Sequence, residues 1–316
     1  MLKRALLAFI ILGLIGGWVG CSSKEEKSAK SEETPPAPTI KPGEMVLIPA
    51  GAFKMGSNQK GEDGKPTPAY PERDVDLPAY YIDKYEVTNG EFLKFTADTG
   101  YTSEAEAENK SWRLFFSPER VNYPAVNLTW NDANAYAKWA GKRLPTEAEW
   151  EKAARGTDGW RYPWGNEWVA GRSNTAETGF RQPREIGSYP GDESPFKVMD
   201  MLGNVQEWVA DWYKAYPGNP KKEKEYGEVL RCARGGTSSH IGKMFSLWAR
   251  TAYLPKALFG LGMRCVKDAQ KANLQTDPND RIKELNQKIA GRFDQIALAV
   301  HHSFGPHRAK SAQPLK

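Results

Sequence analysis

Within Asp200–Trp212, DMLGNVQEWVADW, two carboxylates stand seven positions apart across a Gly-Asn pair, with two tryptophans close by. A hard cation accepts all-oxygen ligand sets in loose geometry. The Asp200 and Glu207 carboxylates can supply two such ligands, and the backbone carbonyls of Gly203 and Val205 two more. Gly203 lets the chain bend so that carbonyls turn inward. The same run also reads as a plain turn into a strand, with Trp208 and Trp212 buried. Other chemistries find little support. There is no G-x-S-x-G elbow, no glycine-rich phosphate loop, and no acid pair that spacing alone marks as an acid/base couple. Only four histidines occur, too few for a three-histidine iron site when His301, His302 and His307 lie together near the C-terminus. His301 and His302 are neighbours and point to different faces of a helix, and His307 follows a Gly-Pro break. None of these three is read as a metal ligand.

The elements that would position such residues are announced by their ends. Thr88 with Glu91, Thr129 with Asp132 and Thr146 with Glu149 are capping boxes, a hydroxyl with an acid three residues on. They open helices that stop near Gly100, Gly141 and Gly156, glycine being suited to a left-handed cap. Ala133, Tyr136, Ala137 and Ala140 recur at helical spacing. Short strands are expected at Val46–Ile48, Ala79–Ile82, Val229–Ala233 and Gly262–Val266. Much of the remainder is Gly/Pro-rich loop, which makes an α+β chain with little regular structure. Residues 44–268 are enough for one sizeable core.

The ends carry different signals. Lys3 and Arg4 precede an apolar stretch, Ala5–Val19, too short and too near the terminus for a comfortable membrane span. With Gly20 before Cys21 it resembles a bacterial lipoprotein signal, 1–20, cut before a lipidated Cys21. Trp18 is unusual where leucine is common, and an uncleaved anchor is the alternative. Either way the body lies outside the cytoplasmic membrane; the lipoprotein reading makes it lipid-anchored in the cell envelope and facing the periplasm. Ser22 is compatible with outer-membrane sorting. Residues 21–43, rich in Ser, Lys, Glu and Pro, form a tether. Residues 269–280 read as a linker within the 269–316 tail. Ile282, Leu285, Ile289, Phe293, Ile296 and Val300 then mark an amphipathic helix, packing either on the domain itself or on a partner. The net charge of +5 comes from lysines and arginines spread among acids. With no basic block carrying interleaved aromatics, nucleic acid is not an expected partner.

A series of motifs runs in order along residues 44–268: MVLIPAGAFKMGS at Met45–Ser57, YYIDKYEVTNGEFLKF at Tyr80–Phe95, the Tyr123–Gly156 stretch ending in RLPTEAEWEKAARG, and YPWGN at Tyr162–Asn166. After the 200–212 run come RGG at Arg234–Gly236, ARTAYLP at Ala249–Pro255 and GLGMRCVKD at Gly260–Asp268. This series resembles the formylglycine-generating enzyme (sulfatase-modifying factor) family. The resemblance implies a C-type-lectin-like fold in which calcium and buried tryptophans organise long loops. It implies a structural calcium at Asp200, Gly203, Val205 and Glu207, where the family usually has Asn first. It implies a second calcium site more weakly, through Asn174 and Thr175, because the loop after them is short and lacks the expected Asp. It also places Cys232 and Cys265 on late strands of one small sheet, either bridged or as two buried thiols.

In family members that make formylglycine, two cysteines between the RGG motif and the later Arg hold copper(I), a soft ion that needs thiolates. Here that interval, Thr237–Ala249, contains none, so no copper is expected and no catalytic residue is assigned. His240 and Met244 are its only soft side chains. Thr237, His240, Met244 and Arg250 then mark a former substrate groove. The favoured expectation is a lipid-anchored, calcium-stabilised binding or scaffold protein of the envelope with a protein or peptide partner. The alternative is a periplasmic oxidative modifying enzyme on the same scaffold.

Overall fold

A computed structural model describes residues 40–108 and 111–269. The expected signal, tether, tail helix, Cys21 and the three tail histidines lie outside the described residues. Three helices form where the capping boxes point: α1 Asn89–Thr99, α2 Trp130–Trp139 and α3 Glu147–Arg155. All three boxes close in both directions. Glu91 N–H donates to Thr88 Oγ1 at 3.2 Å while Thr88 N–H donates to Glu91 Oε2 at 2.9 Å. Each such cap contributes on the order of 1 kcal/mol. The helices end where glycine takes a positive φ, at Gly100, Gly141 and Gly156.

Strands are short. β1 (Met45–Ile48), β4 (Tyr80–Asp83) and β9 (Val266–Asp268) form one sheet, in that order with β4 central. β2 (Gly51–Met55) and β3 (Arg73–Leu77) form an antiparallel pair that was not anticipated from the sequence. The third sheet has the order β7-β6-β5-β8, with β5 Gln206–Trp212, β6 Arg231–Arg234, β7 Thr251–Tyr253 and β8 Leu261–Gly262. β5 runs parallel to β8 and antiparallel to β6. The architecture is α+β with little regular structure. Among the described residues no helix is long and apolar enough to cross a membrane.

β5 is the wall between two cores. Side chains alternate across a strand with a period of two, so Trp208 enters a cluster with Phe92, Phe95, Trp112 and Tyr136, while Val209 enters another with Trp150, Tyr80 and Leu247. Within the aromatic cluster the Phe92 and Trp112 rings meet edge to face, 5.1 Å apart at 79°, while Phe92 and Tyr136 stack. Trp208 Nε1 donates to Leu128 O at 2.8 Å, so the indole is buried with its polar atom satisfied.

The same alternation separates the two cysteines. Cys232 on β6 faces the Trp150 cluster and Cys265, just before β9, faces the Phe92 cluster. Both are buried and free. Of the two alternatives, a bridge or two buried thiols, the structure has the second, and the expectation that both lie on one small sheet is corrected. The two strands belong to different sheets and the thiols look into different cores, where burial pushes both well above the usual thiol range.

Candidate functional site

The 200–207 run folds as a tight turn feeding β5. Asp200, Gly203 and Asn204 all take positive φ, at 59°, 86° and 47°. Gly203 is required by space as well: a Cβ there would stand 2.2 Å from Asn174 O. Asn204 N–H donates to that same oxygen at 2.8 Å, and Asn174 Nδ2 donates to Asn204 Oδ1 at 2.9 Å. Asn174 and Thr175 thus form the backing of the turn. Thr175 Oγ1 is buried and takes no hydrogen bond.

The Asp200 and Glu207 carboxylates occupy unlike settings. Glu207 is fully buried and grips Arg264, with Nε to Oε2 and Nη2 to Oε1 both 2.7 Å; Trp150 Nε1 adds a bond to Oε2 at 2.8 Å. Asp200 Oδ2 accepts from Gly187 N–H at 2.6 Å, and burial lifts its carboxyl to about 6. Two further buried acids, Glu86 and Asp192, feel the charge of Asp200 and are raised well above the carboxylate range, burial being the larger cause in each. Arg264 is a cation facing all four acids. Glu86 Oε1 and Asp192 Oδ1 accept no hydrogen bond. A cluster of buried acids whose ionised forms burial disfavours, with unsatisfied oxygens, is the condition a hard divalent ion relieves. The donor chemistry therefore suits calcium beside Asp200, while Glu207 is already held in an ion pair. Among the described residues no three His, Cys, Asp or Glu side chains form a group that would hold a metal on their own. A set of one carboxylate completed by backbone carbonyls is of another kind.

The 237–250 interval lies on the far side of β6 from this turn in sequence, and its loop closes on α3. Arg250 donates to Glu147 through Nε at 2.9 Å and Nη2 at 2.7 Å, and to Pro68 O through Nη1 at 3.0 Å. Arg234 bridges Glu147 and Glu151, and Glu151 also takes Arg155. Glu147 and Glu151 are one helical turn apart, so α3 presents both on one face. Burial alone would raise Glu147, but Arg250 and Arg234 hold it below its ordinary value. This buried network fixes the floor of a cavity of about 270 Å³ whose lining includes Lys60, Thr67, Arg161, Met244, Trp248 and Arg250.

The four residues assigned to a former groove separate here. Met244, 69 % exposed, and Arg250 line the cavity; Thr237 and His240 do not. His240 Nδ1 accepts from Thr237 N–H at 2.8 Å and its ring lies 5.2 Å from Phe245, an arrangement that shapes the loop. Burial lowers the His240 pKa. The nearby thiol, Cys232, sits behind Arg250, which donates to its Sγ at 3.6 Å, and it has no exposed surface. Lys60, Arg161 and Trp248 escaped the sequence reading. Arg161 adjoins the quoted YPWGN motif, but nothing in the spacing marks it as facing the cavity. Its guanidinium lies 6.0 Å from the Trp248 ring, and neither Arg161 nor Lys60 is paired with a carboxylate among the described residues. The cavity thus offers cations and an aromatic face and no reactive thiolate.

Residues 30–269 match the Sulfatase-modifying factor enzyme 1-like domain. The chain is 31% identical over 293 residues to a formylglycine-generating enzyme of Bos taurus, covering 72% of this chain and 75% of the relative. It is equally 31% identical, over 279 residues, to the Inactive C-alpha-formylglycine-generating enzyme 2 of Bos taurus, covering 71% and 88%. Among solved structures, PvdO from Pseudomonas aeruginosa aligns with a TM-score of 0.55 and 28% identity, over 73% of this chain and 100% of that one. The chain belongs to the formylglycine-generating enzyme (sulfatase-modifying factor) family. Relatives bearing both the active and the inactive name resemble it to the same degree, so family membership alone does not assign catalysis.

Proposed function

We propose that this chain is a non-catalytic member of its family: a lipid-anchored, calcium-stabilised binding or scaffold protein of the bacterial envelope. The observation that carries the reading is the pairing of an intact scaffold with a groove that lacks thiolates. Thr237–Ala249 holds no cysteine, and Cys232 and Cys265 are buried in separate cores. Copper(I) prefers thiolate ligands, and a buried thiol kept neutral does not supply one.

The groove keeps what a binding site needs. Trp248 and Phe245 give an apolar wall, Lys60 and Arg161 give cations, and the Arg250–Glu147 pair holds the shape. It would take a peptide of a partner in the envelope, while Cys21 would carry the lipid and residues 22–43 the tether. Calcium would rest on Asp200 with carbonyls of the following turn, offsetting the acid surplus there. The groove is tested by replacing Thr237–Ala249 with a Gly/Ser segment and by the milder Trp248→Ala, reading capture of envelope proteins by the full chain. Loss of a specific partner in both variants is the expected result; a partner retained by both would remove the groove from the binding surface. Adding a calcium chelator is expected to lower the melting temperature, and no change would remove the ion.

A further inference from the structure

A second concave surface, which shares no lining residue with the 244–250 cavity, concentrates cations against exposed apolar side chains. Its main hollow, about 460 Å³, is lined among others by Asn89, Leu114, Phe115, Arg120, Tyr123 and Arg181. It continues into a hollow of about 190 Å³ that shares Arg120 and Tyr123 and adds Phe180 and Arg184. Among the described residues no Asp or Glu lines either hollow. The apolar members are openly presented, with Leu114 at 70% and Phe180 at 54% exposure.

The arginines here are held by rings. Arg184 lies 3.6 Å over Phe180 and Arg120 lies 5.7 Å over Tyr123. Arg181 is exposed on a left-handed backbone, φ 51°. No ion pair joins any of the three to a carboxylate among the described residues. A guanidinium parked on an aromatic face keeps its in-plane donors free for an incoming anion.

One buried polar group sharpens the class of ligand. Asn89, at the start of α1, is 1% exposed, and its Nδ2 donates to Arg120 O at 3.0 Å. That bond fixes the amide, so Oδ1 is an acceptor turned the other way, and it takes no hydrogen bond. A buried acceptor without a donor is destabilising, and a ligand that brings a donor relieves it.

We infer that this surface binds an acidic, apolar-containing peptide segment of a partner protein. Its carboxylates meet Arg120, Arg181 and Arg184, its apolar side chains cover Leu114 and Phe115, and one backbone N–H reaches Asn89 Oδ1. Charge complementarity selects the acid, and the exposed apolar wall together with the lone acceptor selects a peptide. A phosphate or a nucleic-acid phosphodiester would satisfy the arginines yet leave the exposed apolar wall at Leu114 and Phe115 uncovered. The inference is independent of the groove reading above.

The test is fluorescence anisotropy of the full chain with labelled short peptides in which Asp or Glu alternates with Leu or Phe. Matched peptides carrying Lys, and a single-stranded oligonucleotide, serve as competing probes. The acidic peptides are expected to bind, to weaken roughly tenfold or more in Arg120→Gln and in Arg181→Gln, and to weaken in added salt. Backbone N-methylation of the peptide should weaken it too. Lys54→Gln, an exposed cation paired with Asp74, should leave binding unchanged. Absence of acidic-peptide binding, binding indifferent to both arginine variants, or tighter binding of the oligonucleotide would each overturn the inference.

Discussion

Glu151 shows how charge is used inside this protein. It is fully buried, pairs with Arg234 and Arg155, and accepts Gly56 N–H at 2.7 Å, which ties α3 to β2. Glu151→Gln would leave two buried guanidinium groups short of counter-charge. Breaking such a pair costs about 3–5 kcal/mol, so a large drop in denaturant midpoint is expected and an unchanged midpoint would refute the placement. Asp211 is the opposite case. It caps α3 by accepting Glu147 N–H at 2.8 Å, yet burial, with the Glu147 charge second, lifts it from 3.8 to about 6. A carboxyl whose folded pKa lies above its unfolded one costs stability once both states are ionised. That cost is absent below pH 4 and complete above pH 6. Asp211→Asn keeps the acceptor and removes the charge. Its melting temperature relative to the parent should therefore rise as pH climbs through that window, by up to about 3 kcal/mol in free energy. A difference that is flat with pH would show that Asp211 titrates normally.

At the scale of elements, legibility followed how local the determinants are. The three helices were readable because Thr and an acid three positions on satisfy the first-turn N–H groups within four residues. β1 and β4 were readable as short apolar runs. The β2–β3 pair was not, because the 17 residues 56–72 separate strands whose exposed faces carry Lys54, Asp74 and Asp76. β5 does not alternate in burial, since Gln206–Val209 are buried on both faces between two cores, so its periodicity is silent. The 200–207 turn was legible as a motif, but its backing by Asn174 and the engagement of Glu207 by Arg264 are tertiary facts. Gly203→Ala tests that backing. Positive φ and a Cβ at 2.2 Å from backbone should together cost about 2 kcal/mol or more, measured by thermal melting. A neutral substitution would mean the turn can shift away from Asn174.

For the whole molecule, we propose that family fold and family chemistry come apart. The scaffold holds three capping boxes, buried tryptophans and the α3 ion network, while the Thr237–Ala249 interval contains no cysteine. Which residues line the remaining groove could not be read in advance, because Lys60, Thr67, Arg161 and Trp248 come from distant segments that only the fold brings together. The most direct measurement is to incubate the full chain with copper and a cysteine-containing peptide of the sulfatase type, and to read the peptide by mass spectrometry. The expected result is an unmodified cysteine; an aldehyde in its place would contradict the non-catalytic reading.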